Sequence, residues 1–352
     1  MIAPDMEVVH TAPRSNVGRA HCPRFKSKTT FGQIQAWRWT EAVHNSYGGT
    51  RVCGIAGFFY KDTTATGALG QMLVGMCQEM YRRGTDSVGF ALYGPQNDGD
   101  FVVRVQLEDG AKPGADEAVV AAVRALVDVR DAKFTGPNVR LVVDSDAGGK
   151  LADAIEKAVP GSRVFSVGRS MEVVKDLGSA EEVDRIYEVS RFEGTHGIGH
   201  TRMATESQVD IAHSHPFWAR PFPDIAVVHN GTITNYHKLR RLLENKGHQF
   251  ATHNDSEVIA VYIADKLQAG ESLETALRAS VLDLDGTFAY LVSTRDGIGL
   301  ARDQFATKPL IYAEDEEIVV LASEECAIRR VLRDPQLQPH ELQAKEVRWW
   351  VN

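Results

Sequence analysis

Thr287–Ser293 (Thr-Phe-Ala-Tyr-Leu-Val-Ser) offers almost no polar position on either face that a strand would present. A strand with one face in water alternates apolar and polar residues, so a run without alternation must be covered on both sides. Cys53–Tyr60 (Cys-Gly-Ile-Ala-Gly-Phe-Phe-Tyr) also reads as a buried strand. Further strand-like runs occur at Phe90–Gly94, Ile225–His229, Ile298–Ala301, Leu310–Ala313 and Ile318–Ala322. Helical spacing places Leu69, Met72, Leu73, Met76 and Met80 on one face, with Cys77 beside them as a buried thiol. It does the same for Val258, Ile259, Tyr262, Ile263 and Leu267, and for Leu273, Leu277 and Val281. Runs of strands separated by helix pairs predict stacked sheets with helices outside.

Residues 101–190 read as a separate α/β insertion. Strands are expected at Phe101–Gln106, Val139–Asp144 and Arg163–Val167, helices at Glu117–Val127 and Lys150–Val159, and helical patterns continue to Tyr187. Trp349-Trp350 fit either a final strand after Glu346 or an exposed partner patch.

Residues 1–52 show no sustained apolar period. They carry seven basic and three acidic residues, a net +4, which leaves −12 of the chain's −8 total to the other 300. An acidic body without a basic block argues against nucleic acid and anionic membranes as partners, and no apolar run reaches 18 residues. The four cysteines (Cys22, Cys53, Cys77, Cys326) form no C-x-x-C pair and are too few for a disulfide scaffold, so a reducing, cytoplasmic setting is expected.

Four stretches could carry chemistry, and their order matters more than any one alone. They are Cys53-Gly-Ile-Ala-Gly57, Arg83-Gly-Thr-Asp-Ser-Val-Gly89, Gly199-His-Thr-Arg-Met-Ala-Thr205 with His213-Ser-His-Pro216, and Val227-Val-His-Asn-Gly231 followed by Asn254-Asp-Ser-Glu257. In this order they resemble the class II glutamine amidotransferases, a branch of the N-terminal-nucleophile hydrolases, from Cys53 to about Cys326. Ala301-Arg-Asp-x-x-x-x-Lys-Pro-Leu310 is also among the matches. The resemblance implies an α+β fold: a four-layer αββα sandwich of antiparallel sheets of the Ntn-hydrolase type, with the 101–190 segment as an α/β insertion.

It also implies roles. Hydrolysing the glutamine amide needs a nucleophile, a base and an oxyanion stabiliser. By resemblance Cys53 is the nucleophile, its own α-amine the base, and the Asn230 side chain and Gly231 backbone N–H the oxyanion hole. Arg202 matches the grip on the substrate α-carboxylate, where a planar fork suits two oxygens. Thr205 matches a hydroxyl at the same end. Asp255 matches the partner of the α-ammonium and is also placed to cap the helix that follows. Arg83 and Gly84 match a loop around the nucleophile. Eight of the twelve histidines lie between residues 196 and 253, but the match accounts for His200, His213, His215 and His229 as scaffold, so no metal is expected. Met203 departs from the aromatic residue that many relatives carry.

Gly197-Ile-Gly-His-Thr-Arg-Met-Ala-Thr-Glu-Ser207, together with the insertion, is most similar to the stand-alone amidotransferase subunit of split, archaeal-type glutamate synthases and N-methylglutamate synthases. That resemblance implies L-glutamine as substrate and synthase subunits as partners that accept ammonia. It implies no cofactor in this chain, and FMN and an iron–sulfur cluster in a partner subunit. No phosphoribosyl-pyrophosphate motif follows residue 260, and no Ser-Gly-Gly-x-Asp-Ser loop occurs. A catalytically silent glutamine-binding subunit and an amidophosphoribosyltransferase-related enzyme remain alternatives.

An amide nitrogen has a delocalised lone pair and cannot act as the base. Cys53 must therefore become residue one, and residues 1–52 are expected to be absent from the mature protein. Either a propeptide is cut at Val52–Cys53, or translation starts at Val52 on a GTG codon and the initiator Met is trimmed.

Overall fold

The computed structural model describes residues 53–62, 66–95, 99–108, 112–203, 210–332 and 334–351. The expectations for residues 1–52 and for Thr205 lie outside them. The chain begins with β1 (Gly54–Tyr60), α1 (Leu69–Glu79) and β2 (Ser87–Tyr93). It then runs through β3 (Phe101–Gln106), α2 (Ala115–Arg124), β4 (Val129–Thr135), β5 (Asn138–Val143), α3 (Leu151–Ala158) and β6 (Arg163–Gly168). Next come β7 (Met171–Leu177), α4 (Ala180–Tyr187), β8 (His196–Arg202), β9 (Phe217–Trp218) and β10 (Ala226–Ile233). Three helices follow, α5 (Tyr236–Asn245), α6 (Asp255–Gln268) and α7 (Leu273–Asp283), then β11 (Gly286–Thr294) and β12 (Gly297–Arg302). The chain closes with β13 (Ile311–Glu314), β14 (Ile318–Ala322), α8 (Glu325–Val331), β15 (His340–Glu341) and β16 (Val347–Val351).

Two antiparallel sheets form the middle layers. One has the order β15-β13-β14-β1-β8-β2-β7, the other β16-β12-β11-β10-β9. The doubly apolar run in β11 explains the stacking. Ala289 and Leu291 face the first sheet, sharing a core with Ile55, Ile198 and Leu321, while Phe288, Tyr290 and Val292 share a core with Val258, Ile259 and Leu277 of α6 and α7. On the far side of the first sheet, Leu69, Leu73 and Met76 of α1, with Met80 just after it, pack with Ala56, Phe58 and Val320. Cys77 is fully buried among them. The expected αββα order is therefore present. Gly57 keeps the two sheets close, since a Cβ there would lie 2.7 Å from Leu291 Cδ1. Trp349 and Trp350 lie in β16, partly buried against the cores on its two faces, as the final-strand reading expects. Among the described residues, no helix is long and apolar enough to cross a membrane.

The insertion is a third sheet, β4-β5-β3-β6, with α2 and α3 packed against it through Val119, Val123 and Ile155. Its extent differs from the expected 101–190. After β6 the chain returns to the first sheet as β7, paired with β2 from Ser87↔Leu177 to Tyr93↔Met171. Glu172 and Lys175 interrupt the apolar pattern of β7, which disguised it as part of a helical stretch, yet both are buried. The exposed strand β4 and the polar helix α5 also go beyond the sequence reading.

Glu172 fastens the insertion to the main body. It accepts from Arg104 at 2.7 and 2.8 Å on β3, and from Arg140 at 2.7 and 2.9 Å on β5. Burial opposes its charge, but the two guanidiniums hold its carboxyl below the usual range of about 4.5. Glu172→Ala leaves part-buried Arg104 without its carboxylate and Arg140 with only Asp131 at 4.0 Å, and will lower stability by about 3–5 kcal/mol. A folded-state pKa below the unfolded one means that the wild-type advantage is intact above about pH 4.5 and fades as pH falls below it. Urea unfolding at pH 7 and pH 3 checks both points. A loss under 1 kcal/mol at pH 7 would sink the anchoring role.

Candidate active site

Cys53 stands at the head of β1, between β8 and β14 in the first sheet, while Asn230 and Gly231 lie in β10 of the second. The two sheets thus bring them together at one end of the sandwich. Asn230 Nδ2 donates to the Cys53 carbonyl at 3.0 Å and to Ser323 Oγ at 3.3 Å. Ser323 Oγ also accepts from Ile55 N–H at 2.9 Å, so it joins the ends of β1, β10 and β14. Cys53 Sγ accepts from Met203 N–H at 3.3 Å.

The Arg83 loop reaches the same place. Arg83 Nε donates to the Cys53 carbonyl at 3.1 Å, and its Nη1 ion-pairs with Glu324. Only glycine fits at position 84, where a Cβ would sit 2.6 Å from the Thr201 carbonyl carbon and oxygen. Arg202 ends β8 buried, and its charge acts on the Cys53 thiol. Asp255 begins α6, and its Oδ2 accepts from Ile233 N–H at 2.8 Å, which ties it to the end of β10. The capping role expected of Asp255 belongs to Asn254, whose Oδ1 accepts from Ser256 N–H at 2.9 Å. Asn230 and Arg83 therefore contact Cys53 directly, and Arg202 lies within electrostatic reach of its thiol. Gly84 and Gly231 flank them on the same elements, and Asp255 joins through β10.

Gly231 has φ +134°, and a Cβ on it would lie 1.9 Å from the Thr287 carbonyl oxygen on the paired strand. Gly231→Ala will break that pairing and cost at least about 2 kcal/mol in strain and overlap. An unchanged urea midpoint would contradict this.

Behind Asn230 lies a histidine cluster whose contacts sequence reasoning did not foresee. His200 Nε2 is 3.0 Å from Asn230 Oδ1. A carboxamide oxygen only accepts, so His200 is the donor, which leaves Nδ1 as a buried atom with no partner among the described residues. Burial pushes His200 down to about 3, against the pull of its bond to Asn230, so the ring is neutral. His200 stacks on His215 at 4.1 Å, His215 Nδ1 accepts from His229 N–H, and His229 Nδ1 is 2.8 Å from Ser256 Oγ. The carboxamide is thereby held with its oxygen toward His200 and its NH2 toward Cys53.

The thiol is not activated. Burial pushes Cys53 above its ordinary value of 9.0, and the Met203 N–H and the charges of Arg202 and Arg83 only partly offset that. The site therefore holds a protonated thiol, an oriented N–H donor and a buried cation, groups of the kind acyl transfer uses once a base is supplied.

A family model described as "Glutamine amidotransferase domain" matches residues 200–330. A Methanothermobacter thermautotrophicus protein named "Putative glutamine amidotransferase" is 39% identical over 313 residues, covering 84% of this chain and 100% of the relative. The Rhizobium meliloti glutamine amidotransferase-like protein GlxB is 39% identical over 282 residues, covering 78% of this chain and 89% of its own. The solved glutamine phosphoribosylpyrophosphate amidotransferase from B. subtilis shares the fold at a TM-score of 0.52 and 20% identity, over 84% of this chain and 46% of that one.

Proposed function

Because this chain belongs to the glutamine amidotransferase family, we propose that it hydrolyses L-glutamine to glutamate and ammonia at Cys53 and passes the ammonia to a partner synthase of the glutamate synthase type. The observation that carries this reading is the meeting of Cys53 and Asn230 from opposite sheets, with Nδ2 3.0 Å from the Cys53 carbonyl.

In this reading Cys53 is residue one of the working protein. Its α-amine takes the thiol proton, and sulfur attacks the glutamine δ-carbonyl. The oxygen gathers negative charge facing the Asn230 carboxamide and the Gly231 N–H. The C–N bond then breaks, the amine returns the proton to the leaving nitrogen, and ammonia departs to leave a thioester. Water, deprotonated by the same amine, hydrolyses the thioester to glutamate and restores the thiol. Arg202 holds the α-carboxylate and Asp255 the α-ammonium. Thr205 is assigned with Arg202 on the sequence alone. The ammonia would condense with 2-oxoglutarate with loss of water, and a partner bearing FMN and an iron–sulfur cluster would supply the two electrons that reduce the product to glutamate. Glutamate release by residues 53–352, alone and with synthase subunits, tests the proposal, and no turnover in either preparation with Cys53 free overturns it.

A silent glutamine-binding subunit is the second reading. It is favoured by the raised thiol pKa of a Cys53 that still has an amide nitrogen. Intact mass of the native protein decides between the two: a chain retaining residues 1–52 supports the silent subunit.

A further inference from the structure

A cavity of about 310 Å³ opens where the insertion meets the edge of the second sheet, lined by Lys175, Arg163, Phe165, Phe217, Glu156 and Glu257 among others. None of the residues assigned to the glutamine site lines it. Its acids are already taken up by the protein. Glu156 accepts from Val164 N–H at 3.0 Å and from Arg220 at 2.8 Å. Glu257 accepts from Ala251 N–H at 2.7 Å, and from Thr252 N–H at 2.8 Å and its hydroxyl at 2.6 Å.

The cations are not taken up in the same way. Lys175 is 5% exposed and donates to the Ser214 and Pro216 carbonyls at 2.7 and 3.2 Å. Its Nζ lies 4.7 Å from the Phe165 ring centre and 5.2 Å from that of Phe217. No carboxylate of the described residues comes within 4.0 Å of it, and Arg163 likewise forms no ion pair among them. Of the charges that act on Lys175 from beyond that distance, Glu257 attracts it most, followed by repulsion from Arg163. A buried ammonium with no carboxylate in ion-pair contact is incompletely compensated, and the cost of burying it falls when an anion enters. The Phe165 and Phe217 rings, which line the cavity next to Lys175, favour a ligand with an apolar carbon body over a bare inorganic ion.

We propose that this cavity binds a small organic carboxylate, with the carboxylate between Lys175 and Arg163 and the body against Phe165 and Phe217. Burial, with Arg163 and Arg202 adding to it and Glu257 and Asp210 opposing, brings Lys175 down to about 7, so the ammonium is present below neutral pH and fades above it. The inference concerns binding only and does not depend on the proposed reaction.

Isothermal titration of the full chain with benzoate tests it, with inorganic phosphate as the comparison anion. Benzoate is expected to saturate one site per chain at pH 6 and to weaken at least tenfold by pH 9. Arg163→Gln, at the exposed mouth, and Lys175→Met are each expected to weaken it at least tenfold, with circular dichroism confirming their folds. Should Lys175→Met fail to fold, Arg163→Gln and the pH series decide. The proposal is overturned if benzoate does not saturate, if phosphate binds equally well, if Arg163→Gln binds as wild type, or if saturating glutamine displaces benzoate.

Discussion

Glutamine hydrolysis will be undetectable while Cys53 is bonded to Val52, and will rise by at least about 10³-fold once Cys53 is residue one. The size follows from what a positioned base contributes, about 10²–10⁴, combined with the state of the thiol. Burial holds the Cys53 thiol above its ordinary value despite Met203, Arg202 and Arg83, so little thiolate exists at neutral pH. Candidate bases nearby do not serve. His200 is pushed down to about 3 and gives its N–H to Asn230, and His215 is held well below the usual histidine range by burial. An α-amine with a pKa of about 7.7–8.0 fits the task, whereas an amide nitrogen has no available lone pair. The measurement compares glutamate release by the 1–352 chain and by a chain whose first residue is Cys53, each verified by intact mass. Cys53→Ala in the shorter chain controls for contaminating glutaminase. Equal rates from the two verified chains would remove the α-amine from the mechanism.

The layering was legible because β11 has apolar residues on both faces, and no exposed sheet tolerates that. The site was legible as an ordered set of short motifs, and Cys53, Arg83, Arg202 and Asn230 do converge. What stayed hidden depends on distant partners. Glu172 and Lys175 look like a helix's polar side until Arg104, Arg140 and the Ser214 and Pro216 carbonyls are seen around them. Ser323 follows a strand as an ordinary serine, and only the fold shows that it bridges Ile55 and Asn230. The one available cue was a polar residue directly after the buried strand Ile318–Ala322. Asp255 and Asn254 are adjacent and both can cap a helix, so sequence alone could not say which one does.

Asn230→Ala will lower kcat by about 10²–10³, equivalent to about 2.7–4 kcal/mol, with a much smaller effect on KM. The carboxamide is held in one orientation before substrate arrives. Its oxygen is fixed by the His200 N–H at 3.0 Å, and its NH2 faces the Cys53 carbonyl at 3.0 Å. With its orientation already set, the carboxamide has only to share or release the longer 3.3 Å bond to Ser323 Oγ to stabilise charge as it develops, and so acts on the transition state more than on bound glutamine. Asn230→Asp sharpens the test because it keeps the shape while replacing the donor with an anion, and its loss should equal or exceed that of alanine. His200→Phe keeps the stack on His215 but removes the N–H that holds Oδ1. One neutral hydrogen bond is worth about 0.5–1.5 kcal/mol, so kcat should fall about three- to tenfold, with KM little changed. His200→Gln, which restores a donor, should recover most of that loss. If Asn230→Asp retains wild-type kcat in a chain whose Cys53 is free, the oxyanion is stabilised elsewhere. If His200→Phe and His200→Gln behave alike, His200 supports the fold without orienting Asn230.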